Sequence, residues 1–252
     1  MHTIRLHLTE AKYEFIRLLR APQFALPTLG FPLIFYIFFA MAMGGRMAGP
    51  VRAATYMLAT YGCFGVMGAS LFGFGVSIAM ERGLGWLQVK RTTPMPLSAY
   101  FFAKMVMALL FSCIIVLSLF ALAFTLAHVR LPFGTAAALF ATLVAGSVTF
   151  SALGLAIGYF ASAQSAAPIV NLIYLPLSFL SGLWSPIWAL PRPVQMLAVF
   201  LPPYHFSQLA LHIVNASRGG SVAGHITALV IATALFLGVA VIGFRRDEAT
   251  QN

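Results

Sequence analysis

Residues 101–127 read FFAKMVMALLFSCIIVLSLFALAFTLA, an apolar run in which Lys104 is the one charged residue. About 20 apolar residues cross the roughly 30 Å hydrocarbon core of a bilayer as a helix. A helix also satisfies every backbone polar group where lipid offers no partner. This stretch therefore predicts a transmembrane helix, and its surroundings repeat the pattern. Comparable segments occupy 23–43, 53–79, 133–160, 168–189 and 222–244. Together they predict an all-α membrane protein with six transmembrane helices. The composition agrees: 61% of the 252 residues are hydrophobic and 8% are charged, against about 25% charged in an ordinary soluble domain.

Small residues and prolines mark how the spans pack. Gly62, Gly65 and Gly68 step along the second span, and Gly154 and Gly158 form a small-xxx-small pair in the fourth; both patterns predict close helix contacts. Pro27, Pro32 and Pro176 fall inside spans, where neighbouring helices can satisfy the backbone groups they free. The many Phe and Met residues read as lipid-facing and packing side chains.

Ahead of the first span, Ile4, Leu8, Ala11, Phe15, Leu18 and Leu19 recur at steps of three and four among charged residues. Residues 1–22 are thus predicted as an interfacial amphipathic helix, ending at Pro22, with 23–252 as the transmembrane domain. Arg5, Glu10, Lys12, Glu14, Arg17 and Arg20 leave no early apolar stretch of the signal-peptide kind.

Charge sets the orientation. On a six-span frame one side carries Arg5, Lys12, Arg17, Arg20, Arg82, Lys90, Arg91, Lys104, Arg245 and Arg246, and the other Arg46, Arg52, Arg130, Arg192 and Arg218. Ten basic residues against five predict both termini in the cytoplasm. All five acidic residues, Glu10, Glu14, Glu81, Asp247 and Glu248, fall on that same side, and none is expected inside a span. Residues 80–100 then form a cytoplasmic loop and 184–221 an external segment. Between the prolines of the latter, 194–201 and 204–215 are apolar enough to re-enter the membrane as short helices before the last span. Trp86, Trp184 and Trp188 are expected at interfaces. The net charge of +10 lies in short segments between apolar runs, so it predicts a bilayer partner and no nucleic acid.

Several chemistries are excluded by what is missing. Coupling to protons or sodium through carboxylates needs an intramembrane acid, and none is expected. Lys104, near a helix end, is expected to snorkel to the interface. A P-loop needs a Gly-Lys-Ser/Thr step, and none of Lys12, Lys90 and Lys104 follows a glycine. His205 and His212 are seven apart without an acidic neighbour, which does not match the i, i+4 spacing of a helical zinc pair. Cys63 and Cys113 lie in apolar runs and form no CxxC pair. No GxSxG elbow is present. The expectation is a chain with no catalytic residue, no metal and no cofactor of its own.

One loop is more specific. Met80-Glu81-Arg82-Gly83, Leu87, Lys90-Arg91-Thr92-Thr93-Pro94 and then Lys104 resemble the cytoplasmic signature of type-2 ATP-binding cassette (ABC) exporter permeases. Phe179-Leu180-Ser181-Gly182, Pro186, Leu190-Pro191 and Leu201-Pro202-Pro203-Tyr204-His205 resemble that family's external segment. The resemblance covers nearly the whole chain. It implies a transport subunit in a prokaryotic plasma (inner) membrane, paired with a second permease, often an identical copy. Each would be bound to a cytoplasmic ATPase that holds the ATP and magnesium, and the cargo would be hydrophobic or amphipathic: a drug, a lipid or a lipid-linked glycan. Glu81, Arg82, Gly83, Leu84, Leu87, Lys90, Arg91, Thr93 and Pro94 would couple to that ATPase, with Leu84 and Leu87 on one face of a short helix and Gly83 allowing the turn. Pro202, Pro203, Tyr204 and His205 would form an external gate. Because Glu81 opens a loop outside the hydrocarbon, Glu81→Lys is expected to leave folding intact. The rival reading is a motor-free channel, a scaffold or a carrier using backbone-coordinated sodium.

Overall fold

The structure is a computed structural model that describes residues 2–43, 45–86 and 96–249. Helix α1 (His2–Leu19) precedes α2 (Pro22–Met43). A small hairpin, β1 (Met47–Ala48) paired antiparallel with β2 (Val51–Arg52), turns the chain into α3 (Ala53–Gly83). Then come α4 (Leu97–Thr125), α5 (Phe133–Phe160), α6 (Ala166–Leu180), the short helices α7 (Arg192–Ala198) and α8 (Pro202–Ile213), and α9 (Val222–Ala249). The chain is mostly helical, as expected, with the two short strands the one addition among the described residues. Among the described residues five helices, against the six expected, are long and apolar enough to cross a membrane: α2, α3, α5 and most of α4 and α9. The remaining apolar helix, α6, has 15 residues, about 22 Å at 1.5 Å per residue.

Helix α3 is the axis of the bundle. In its most apolar stretch 83% of the residues are buried, against 17% in α2 and in α9, so α2 and α9 present long apolar faces outward. The small residues of α3 explain how neighbours come so close. A Cβ on Gly62 would lie 2.7 Å from Leu143 of α5, and one on Gly65 would lie 2.7 Å from Ile115 of α4 and 3.0 Å from Pro32 of α2. One on Gly68 would meet the Tyr174 hydroxyl at 2.7 Å, which donates to the Phe64 carbonyl at 3.0 Å. Gly154 and Gly158 face α3 at backbone distance, near Ser70 O and Gly75 O. There α3 adopts a π turn over Leu71–Val76. One extra residue in a turn rotates the rest of the helix by roughly 100°, and Ser77 and Glu81 turn with it.

The two ends of the bundle are distinct. The C-terminal end of α3 lies beside the C-terminal end of α5, with Gly83 against Ala163. At the N-terminal end of α3, Tyr56 packs edge-on against Trp188 at 5.3 Å, and the Arg218 guanidinium lies 4.1 Å from the centre of the Trp188 ring. A 31-residue helix separates these ends by roughly 45 Å. Helix α6 runs between them, from the Ala163 end toward Trp184, whose ring packs on Phe35 and Phe64. Between residues 184 and 221 the expected short helices form, starting slightly earlier than the sequence suggests because prolines set their first turns. Helix α8 buries Phe206, Gln208 and Leu211 against the bundle.

Gly146 is the tightest contact, since a Cβ there would sit 2.1 Å from the Phe206 ring. Gly146→Ala is expected to lower stability by about 1–3 kcal/mol through overpacking, and Phe206→Leu in the same chain to recover part of it. Reversible unfolding in mixed micelles reads this, and unchanged stability in Gly146→Ala would contradict the packing described.

Candidate functional site

At the Glu81 end six polar side chains from three helices converge in a cluster that is buried except at half-exposed Arg17. Lys104 enters from the first turns of α4 and is fully buried. Its Nζ donates to Glu14 Oε1 of α1 at 2.5 Å, to Glu81 Oε1 of α3 at 2.7 Å and to Ser77 Oγ at 2.8 Å. Three donors meet three acceptors, which is all an ammonium group can use. Tyr100, one turn before Lys104, donates to the second Glu81 oxygen at 2.7 Å. Arg17 of α1 closes the cluster, pairing with Glu14 at 2.8 Å and with Glu81. Burial pushes the Arg17 pKa down, but the Glu81 and Glu14 carboxylates outweigh it and hold the guanidinium above its ordinary range. Two cations and two carboxylates sum to zero, the condition under which such a cluster can be buried.

These positions correct four expectations. Lys104 does not snorkel; it is held inward by two carboxylates. Glu81 is not the start of a loop: α3 continues through Gly83, and Glu81 is a buried residue of its last turns. An acidic residue therefore does lie in a long apolar helix, and Glu14 is buried beside it. Glu81→Lys would place a third cation in this cluster and remove one of its two carboxylates, so folding is not expected to survive it intact. The stripe of α1 that packs inward is Ala11, Glu14 and Leu18, while Leu8 and Leu19 are exposed.

Arg82 points the other way around the α3 surface. One guanidinium nitrogen donates to the Gly158 and Tyr159 carbonyls at 2.8 and 2.9 Å. These belong to the last turn of α5, where carbonyls lack intrahelical partners and the helix dipole favours a cation. A second nitrogen, Nη2, pairs with Asp247 of α9. Adjacent residues thus tie the end of α3 to α1 and α4 through Glu81 and to α5 and α9 through Arg82. The left-handed turn falls at Gly85, with φ +73°, rather than at Gly83. Gly83 is required for a different reason: a Cβ there would lie 2.7 Å from Ala163 Cβ. Beyond this anchor Met80, Leu84 and Trp86 are exposed apolar side chains. Leu87, Lys90, Arg91, Thr93 and Pro94 lie outside the described residues.

The other predicted group sits at the opposite end. Pro202 and Pro203 open α8, Pro203 is buried, and Tyr204 and His205 follow in the same turn. His205 meets His225 of α9, a pairing the sequence reading missed in favour of His212, which is exposed. Among the described residues no group of three or more His, Cys, Asp or Glu side chains is arranged to hold a metal.

Comparison with known proteins adds the family. The model of the ABC-2 type transporter family matches residues 8–215. The Bacillus subtilis (strain 168) protein named "Putative transport permease YvfS" is 31% identical over 209 residues, spanning 82% of this chain and 84% of that one.

Removing one member of a buried ion cluster leaves an unpaired charge, a loss of about 3–5 kcal/mol. Lys104→Met is expected to lose that much stability, and Lys104→Met with Glu81→Gln to lose clearly less than the two single losses added. A double-mutant cycle in micelles measures the coupling; strictly additive losses would show that the two groups do not interact.

Proposed function

The chain belongs to the ABC-2 type transporter family, and from that premise we propose that it is the transmembrane permease of an ATP-driven exporter powered by a separate cytoplasmic ATPase. The family makes the chain a membrane transport permease and implies an ATP-binding cassette ATPase as its partner. The finer reading has six spans, with α6 as the fifth. Both termini and the Glu81 end face the cytoplasm of a prokaryotic inner membrane. The ten-to-five distribution of basic residues supports this orientation. Residues 1–22 form the interfacial helix, 23–252 the transmembrane domain, and 184–221 the external segment with α7 and α8 as re-entrant helices. The exposed Met196, Leu197 and Phe200 support contact of that segment with lipid. The cargo is hydrophobic or amphipathic and a second, identical permease completes the pathway. ATP and magnesium bind in the ATPase and the chain carries no cofactor.

The observation that carries the coupling role is the contrast at the end of α3. Glu81 and Arg82 are fixed to four helices, while Met80, Leu84 and Trp86, within a few residues of them, expose apolar surface. A rigid anchor next to an unpartnered apolar face transmits force from whatever docks there. In this reading Gly83 and Leu84, with Leu87, Lys90, Arg91, Thr93 and Pro94, form the docking segment, and Pro202, Pro203, Tyr204 and His205 act at the external gate.

Truncating an apolar anchor at such an interface costs about 2 kcal/mol, or roughly 30-fold in affinity. Leu84→Asp is expected to leave membrane abundance unchanged and to strip co-purifying ATP hydrolysis from the tagged chain. Equal ATPase retention by Leu84→Asp and the parent, or no ATPase with either, would overturn the coupling assignment.

A further inference from the structure

His205 and His225 each occupy the fourth position of their helices, α8 and α9. Their Nδ1 atoms are 2.9 Å apart. His205 Nε2 lies 2.8 Å from the Val199 carbonyl oxygen, and His225 Nε2 lies 2.8 Å from that of Gly219. A carbonyl oxygen only accepts hydrogen bonds, so both Nε2 atoms must carry hydrogen. A nitrogen–nitrogen contact of 2.9 Å is a hydrogen bond and needs one hydrogen between the two Nδ1 atoms. The count is three protons on four ring nitrogens, whereas two neutral imidazoles carry two. We propose that His205 and His225 share one additional proton, and that this pair is a proton-dependent latch fastening the first turn of α8 to the first turn of the last helix.

The surroundings fit a latch held by hydrogen bonds rather than by an ion pair. Tyr204 packs against both rings, with centroids at 5.5 and 6.2 Å. The nearby cation, Arg218, is engaged on Trp188, which also packs edge-on against Tyr56. The carboxylates Glu14, Glu81 and Asp247 are committed to the clusters at the opposite end. Gly220 makes the geometry possible: its φ is +78°, and a Cβ there would lie 2.6 Å from His225 Nε2. Burial, opposed by the bond to Val199 and reinforced by neighbouring His225, pushes the His205 pKa down; that works against the additional proton, which the three hydrogen bonds of the pair must offset.

The sign of the pH dependence follows from the count. When the third proton leaves at higher pH, two lone pairs face each other, or one ring turns its tautomer and abandons a carbonyl. When a fourth arrives at lower pH, two N–H groups face each other. The latch is closed only between these limits, and a histidine ordinarily titrates near pH 6.5. On the cytoplasmic orientation of the Glu81 end, the pH it reads is the external one. The sidedness rests on the orientation proposed above, whereas the latch itself is tested by measurements blind to sidedness.

The test uses the full chain, labelled with ¹⁵N-histidine, in lipid nanodiscs. At the pH of closure one ring of the pair is expected to be doubly protonated, with nitrogen–nitrogen scalar coupling across the bond. This needs no substitution, so a variant that fails to fold leaves it standing. His205→Asn and His225→Asn are each expected to abolish the coupling. Amides of 199–226, corrected for intrinsic rates, are expected to exchange about fivefold faster on either side of the window, as loss of one hydrogen bond implies, and the variants to flatten that profile. Two neutral rings throughout, a pH-independent exchange profile in the parent, or chelator-sensitive resonances that place a metal between the Nδ1 atoms would each overturn the shared proton.

Discussion

A lysine ammonium buried between two carboxylates governs the geometry of this bundle. An isolated charge in an apolar interior costs many kcal/mol, so Lys104 can be buried only where Glu14, Glu81 and Ser77 all reach it. That requirement fixes three helices at once. It sets the depth and rotation of the amphipathic helix α1, the register of α4 and the rotation of α3 after its π turn. Such clusters add little net stability compared with well-packed apolar groups, so the consequence is positional. Arg82 extends the same anchor to the end of α5 and to α9 by using carbonyls that a helix terminus leaves open.

The remainder of the architecture follows from what surrounds α3. A central helix lined with glycine and alanine lets five neighbours approach its backbone, and the outer helices α2 and α9 are left with apolar faces for lipid or another subunit. The result is a bundle with chemically different ends. One end is a charged platform carrying Met80, Leu84 and Trp86 on its rim. The other is an aromatic and histidine-rich cap built from proline-initiated helices. In this member of the ABC-2 type transporter family the charged anchor and the aromatic cap lie at opposite ends of one long helix.

Five of the six expected spans were legible because apolar length is a local property, while the other expected span is the 15-residue α6; the close contacts at Gly62, Gly65, Gly68, Gly154 and Gly158 were legible too. The buried charges were not. Glu14 sits among apolar residues at helical spacing and reads as the polar edge of an amphipathic stripe, yet its partner is 90 positions away. Lys104 reads as an interfacial lysine for the same reason. The motif singled out Glu81 and Arg82, but periodicity assigned them to a loop, because charge at the end of an apolar run resembles a boundary. The turn was expected at Gly83 and falls at Gly85, since both glycines look alike until Ala163 is seen beside the first. The His205–His225 pair spans two helices, and pairwise spacing within one helix could not reveal it. Gly220 was the available signal, a glycine placed where a ring must enter.

The central claim is that the Glu81 anchor and the Leu84 rim face the cytoplasm while the α8 cap faces outward. Single cysteines at Leu84 and at Ser217, each in a chain with Cys63 and Cys113 replaced, probe it directly with a membrane-impermeant thiol reagent on intact cells. Labelling is expected at position 217 in intact cells, and at position 84 only after the membrane is permeabilised. Labelling of position 84 from outside, with position 217 protected until permeabilisation, would contradict this orientation.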